Sequence, residues 1–153
     1  MCLIIKENYL KATEDIVCYK VYVKKNSLSY FISPFRKCQQ PELNTLQESE
    51  YVYSAGLGIH SFASMEGVKR LMFAFGSLIS NLVYPNLFIG FKIVKSIIPK
   101  DSYFAFGTDD LTKCTAYSSH NLIDVEELDV INSTNWIEKL IQYYEGSRST
   151  SES

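Results

Sequence analysis

The sequence predicts an α+β domain, a mostly antiparallel sheet of about six or seven strands with two main helices packed on it. Three observations carry that expectation. Short segments of period two, separated by turn residues, recur along the 153-residue chain. The stretch 65–82 repeats its apolar residues at helical spacing behind a serine, and the stretch 134–144 does the same near the end of the chain.

In chain order, Cys2, Leu3, Ile4, Ile5 and Lys6 form a short first strand, and 8–13 is a loop. Residues 15–24 make the clearest strand. Val17, Tyr19, Val21 and Val23 alternate there with Cys18, Lys20, Tyr22 and Lys24, so one face is apolar and the other mixed, as in a half-exposed strand. Lys25 and Asn26 turn the chain, 27–32 returns as a hairpin partner, and Ser33-Pro34 stops it. From 35 to 50 the sequence is polar with little period, an excursion that crosses the surface or serves as a lid. Tyr51, Val52 and Tyr53 form a short strand.

Gly56-Leu57-Gly58 leads into an extended piece in which Ile59, Ser61 and Ala63 face one side and His60 and Phe62 the other. Ser64 can cap the helix that follows, and Glu66 complements the dipole in its first turn. Val68, Leu71, Met72, Phe75 and Ile79 then mark an amphipathic helix of about four turns ending near Leu82. No charge lies between Arg70 and Lys92, so 71–91 has the length of a membrane span. Asn81, Tyr84, Pro85 and Asn86 argue against one, because proline breaks the hydrogen-bond ladder that a lipid-exposed helix requires. The segment divides instead into a helix, a Tyr84-Pro85-Asn86 turn and a buried strand over 87–98.

Pro99-Lys100-Asp101 turns the chain into a strand at 102–106 that ends at Gly107, and 108–119 is a polar connection. The last strand, 121–128, is expected to place Leu122, Ile123 and Val125 inside and Asp124, Glu126 and Glu127 toward solvent. Ser133 or Thr134 caps a final helix whose buried stripe is Trp136, Ile137, Leu140, Ile141 and Tyr144. Residues 1–145 therefore form a single domain and 146–153 a flexible tail.

Length and an apolar content of 46% suffice for a core without staples. Eleven tyrosines and nine phenylalanines make that core aromatic-rich. A net charge of −2 argues against a broad nucleic-acid surface. The lysine groups Lys20, Lys24, Lys25 and Lys92, Lys95, Lys100 read as solvated strand edges. Cys2, Cys18, Cys38 and Cys114 show no metal-ligand spacing, and Leu3 to Ile5 is too short an apolar core for a secretory leader. A cytoplasmic setting, no metal and no cofactor are the resulting expectations, with a homo-oligomer left open.

His60 and His120 are the only histidines, so acid–base chemistry near neutral pH would centre on them. Their serine neighbours, Ser61 and Ser119, point away from them on a strand and make no nucleophile–base pair. Cys2 after Met1 resembles the start of class II glutamine amidotransferases and related N-terminal nucleophile hydrolases, although Leu3 stands where the amidotransferases commonly have glycine.

Four blocks occur in an order that resembles small ADP-ribosyltransferase-like domains. They are Tyr19-Lys20-Val21-Tyr22, Gly58-Ile59-His60-Ser61-Phe62 leading into a helix, residues 94–100, and Asp124-Val125-Glu126-Glu127-Leu128. The resemblance implies an NAD-using enzyme in which Lys20 holds NAD, His60 or Ser61 lies beside the nicotinamide, and Glu126 or Glu127 orients the acceptor or ribose. Lys20 departs from the usual His or Arg, lacking the planar guanidinium fork, and the middle block has no Ser-Thr-Ser triplet.

Met1-Cys2-Leu3-Ile4-Ile5, Ile59-His60-Ser61-Phe62 and Ile97-Ile98-Pro99-Lys100 are similar to blocks in small proteins of bacteriophages and gut bacteria, which implies a phage or mobile-element setting. The resulting expectation is a non-enzymatic binding module whose ligand, a host protein or a small nucleotide, meets Lys20, Tyr22, His60 and Ser61. The alternatives are an NAD-using enzyme with Lys20, His60, Ser61 and Glu127 as catalytic residues, and a structural component of a virion or complex.

Overall fold

The computed structural model describes residues 3–25, 30–33, 39–49, 58–80, 88–132, 135, 137–139, 141, 142 and 145. In chain order these hold β1 (Leu3–Lys11), β2 (Ile16–Lys25), β3 (Leu46–Glu48), β4 (Ile59–Phe62), α1 (Met65–Ser80), β5 (Phe88–Ile98), β6 (Tyr103–Asp109), β7 (Thr115–Ser119) and β8 (Asn121–Asn132). The eight strands make one sheet in the order β1-β6-β7-β4-β2-β5-β8-β3, with every pairing antiparallel. The protein is sheet-dominated, with more strands than the period-two pattern marks.

The extra strands are those whose sequence hides them. β3 is three residues, Leu-Gln-Glu, inside the polar excursion, and β7 is Thr-Ala-Tyr-Ser-Ser inside the predicted connection. Both acquire their conformation from the strands beside them. β1 extends through the predicted loop to Lys11, because register shifts on either side of Glu7 and a left-handed Tyr9 (φ 55°) break the alternation without ending the strand. β6 likewise runs past Gly107 to Asp109. A Cβ at Gly107 would lie 1.9 Å from the Ile4 carbonyl oxygen, so only glycine lets β1 approach there.

The sheet curls strongly. A single residue, His120, joins β7 to β8, so the two strand ends stand only about 7 Å apart. In the sheet β7 and β8 are four strand spacings apart, about 19 Å if the sheet were flat. Closing that difference requires the intervening β4, β2 and β5 to bend around a concave interior. The corner is fixed by His120 N–H donating to Tyr103 O at 2.9 Å and by Ser49 N–H donating to His120 O at 2.8 Å.

Inside the curl Ala12, Cys18, Ile59, Ile98, Phe104 and Leu122 form one apolar cluster. On the other face α1 lays Val68, Leu71 and Met72 over Val21, Val23, Phe62, Phe91, Ile93 and Ile131. The helix starts directly after Ser64, as the capping pattern predicts. Burying each of its large apolar side chains contributes about 1.5–3 kcal/mol. Arg70 adds a polar tie, with Nε donating to Glu66 and Nη1 to Thr112 O, each at 3.1 Å.

Several expected exposures are reversed. β2 is central, so both faces are covered and Cys18, Lys20 and Tyr22 are all buried; Lys20, expected at a solvated edge, is 3% exposed. Asp124, expected in solvent, is fully buried, because it shares a face of β8 with Leu122 two residues earlier. Glu126 and Glu127 are exposed, while Ile123 and Val125 are half-buried. Near the C-terminus 137–139, 141, 142 and 145 are helical, yet Ile137 and Ile141 are 58% and 53% exposed and do not form the predicted buried stripe. A Lys139–Asp129 ion pair at 3.2 Å links this segment to β8.

Ile32 meets Val23 in an isolated bridge, which is what the described residues hold of the predicted hairpin return. The Asn26 turn, residues 27–29, Tyr51 to Tyr53, Gly56 and Leu57, the Tyr84-Pro85-Asn86 turn, Ser133, Thr134, Trp136, Leu140, Tyr144 and the tail lie outside the described residues. Among the described residues no helix is long and apolar enough to cross a membrane.

Candidate functional site

The site begins with a defect in the sheet. β2 and β4 are neighbours, yet they pair at one position only, Tyr19 opposite Phe62. Continuing that register sets Lys20 opposite Ser61 and Val21 opposite His60. Along this seam the Lys20 side chain supplies a bond of its own, with Nζ donating to the His60 carbonyl oxygen at 3.2 Å and to Ser33 Oγ at 3.5 Å.

A cleft of about 370 Å³, open to solvent, follows the seam. Leu3, Val21, Leu71 and Ala116 give it apolar walls, and Tyr19 and Phe62 add aromatic surface. Its polar groups are Lys20, His60, Ser61 and Asp109. Asp109 is committed locally, since Oδ2 accepts from Thr112 N–H at 2.8 Å and from Thr112 Oγ1 at 2.7 Å. Residues from both faces of the β2–β4 seam line the cleft.

Beneath the seam lies a buried polar network. Tyr22 Oη donates to Asp124 Oδ2, Ser96 Oγ donates to Asp124 Oδ1 at 2.7 Å, and Gln47 Nε2 donates to Tyr22 Oη at 3.4 Å. Lys20 Nζ stands 5.4 Å from the centre of the Tyr22 ring, within cation–π range. The Cys18 thiol is pushed up to about 11 by burial, partly offset by the Ser61 hydroxyl and the Lys20 charge. It therefore stays a thiol at neutral pH. Burial, and next the nearby Cys18, also raise the Tyr117 phenol above its ordinary value.

The structure brings Lys20, His60 and Ser61 together around one cleft and puts Tyr22 directly behind Lys20. Glu127 is not among the cleft residues. It pairs with Lys92 at 3.1 Å, and Lys92 in turn lies 4.5 Å from the Phe31 ring centre. Of the four, Lys20, His60 and Ser61 line this cleft and Glu127 does not. His120, the other histidine, sits at the β7–β8 corner.

Asp124 and Ser96, which hold Tyr22 in place, escape sequence reasoning. The available signal was the spacing of Leu122 and Asp124, which puts the carboxylate on the buried face. Among the described residues no group of three or more His, Cys, Asp or Glu could hold a metal, and Cys18 and Cys114 are free thiols. The chain matches no protein-family model, no curated protein and no solved structure.

Proposed function

We propose that the protein is a non-catalytic binding module, acting in a phage-infected or otherwise host cytoplasm, whose ligand is a small mononucleotide held in the β2–β4 cleft. The observation that carries this reading is the composition of the cleft: aromatic Tyr19 and Phe62, aliphatic walls, and the few convergent polar groups Lys20, His60 and Ser61. Small-ligand sites combine an apolar lining with a few placed polar groups in just this proportion.

Binding is favoured over catalysis by the state of the Ser61 and Asp109 groups in the cleft. Its serine lies beside a protonated thiol, and its carboxylate is held by Thr112. Calorimetry and thermal shift with a panel of mononucleotides and NAD, followed by chromatographic recovery of each ligand, test the proposal. A mononucleotide should bind and be recovered intact. Consumption of NAD, or silence across the whole panel, overturns it.

A further inference from the structure

We propose that Lys20 and Ser61 form an oxyanion seat at the base of the β2–β4 cleft, so that the ligand enters with a phosphate or carboxylate group directed into the seam. This deepens the binding-module reading and rests on it for the position of the cleft.

Two independent observations point to the seat. Ser61 is 3% exposed, and its Oγ has no hydrogen-bond partner of ordinary geometry among the described residues. Its polar neighbour is the Cys18 thiol, a weak partner for a hydroxyl. Burying a hydroxyl in that condition costs free energy that an entering acceptor would recover. The second observation is the ammonium opposite. Among its bonds, Lys20 Nζ reaches two neutral oxygens at 3.2 and 3.5 Å, toward the long end for such bonds. An anionic oxygen would give a shorter, charge-assisted bond.

Lys20 is the cation of the seat, and two carboxylates stand near it with their hydrogen bonds made to neutral donors. Asp124 is the carboxylate on the buried side, and both of its oxygens already accept hydroxyl donors, from Tyr22 and Ser96. Cys18 holds its proton and adds no charge. On the cleft side Asp109 is engaged by Thr112. The Lys20 ammonium donates to the His60 carbonyl, and an entering oxyanion would compete for that donor.

The test measures a nucleoside, its 5′-monophosphate, inorganic phosphate and acetate against the full chain and its Ser61→Ala variant, by calorimetry and thermal shift. The monophosphate should bind at least about ten-fold tighter than the nucleoside, and Ser61→Ala should shrink that preference about five-fold. Lys20→Met should abolish the preference; if that variant fails to fold by circular dichroism, Ser61→Ala alone decides. Equal affinity for nucleoside and monophosphate, or a preference untouched by Ser61→Ala, overturns the seat. If neither nucleoside nor nucleotide binds but phosphate or acetate raises the melting temperature in a Ser61-dependent way, the seat stands and the mononucleotide reading falls. Phosphate stabilising more than acetate identifies the oxyanion class. Silence from every anion overturns the seat.

Discussion

The Tyr22 phenol donates a hydrogen bond to the Asp124 carboxylate across the inside of the curled sheet, joining residues 102 positions apart in sequence. Because Asp124 is fully buried, each of its oxygens depends on a hydroxyl brought by another strand. Tyr22→Phe keeps the ring and removes the donor, so it should lower unfolding free energy by about 1–3 kcal/mol. Ser96→Ala should act in the same direction. Urea midpoints measure both, and a Tyr22→Phe protein as stable as the parent would mean that the bond carries no net stability.

Gly107→Ala should be severe. The added Cβ has no room between β6 and the Ile4 backbone, so β1 must shift or detach. A loss of roughly 2 kcal/mol or more is expected, with hydrogen exchange quickening in β1 before the rest of the sheet. Uniform exchange across all strands would contradict that placement of strain.

Alkaline pH should weaken the fold through Cys18. Its folded value, about 11, lies above the ordinary 9.0, so the folded state holds the proton more tightly than the unfolded chain. The stabilisation is whole below pH 9 and is lost as pH rises from about 9 toward 11, on the order of 2–3 kcal/mol at most. Tyr117, raised as well, adds to the loss in the same direction. Denaturation at pH 8 and pH 10.5 should show the drop in the parent and a flatter profile in Cys18→Ala.

Ile137→Ser should leave stability within about 0.5 kcal/mol of the parent, because the side chain is exposed. Had the residue belonged to a buried stripe, the change would cost several times more. Thermal melts separate the two outcomes.

The elements legible in sequence are those whose signal is local. β2, β4, the α1 that starts after Ser64 and β5 carry alternation, a capping pattern or helical spacing, and they stand where these predict. β3 and β7 carry none, since their conformation comes from pairing with β8 and with β4 and β6. The site divides in the same way. Lys20, His60 and Ser61 are visible as chemically promising side chains, but their meeting depends on β2 and β4 being neighbours, which no local pattern encodes. The burial of Lys20 follows from the central place of β2, and the role of Asp124 from the curl that turns its face inward.

The strand order also determines when the sheet can form. Among the described strands, β6 and β7 are the one neighbouring pair adjacent in sequence; β2 must wait for β5, and β1 for β6. A chain leaving the ribosome would therefore carry several unpaired strands until most of its length had emerged. Folding should be slow, with the β6–β7 hairpin as the natural nucleus, and the nascent chain should need protection from aggregation for longer than its size suggests.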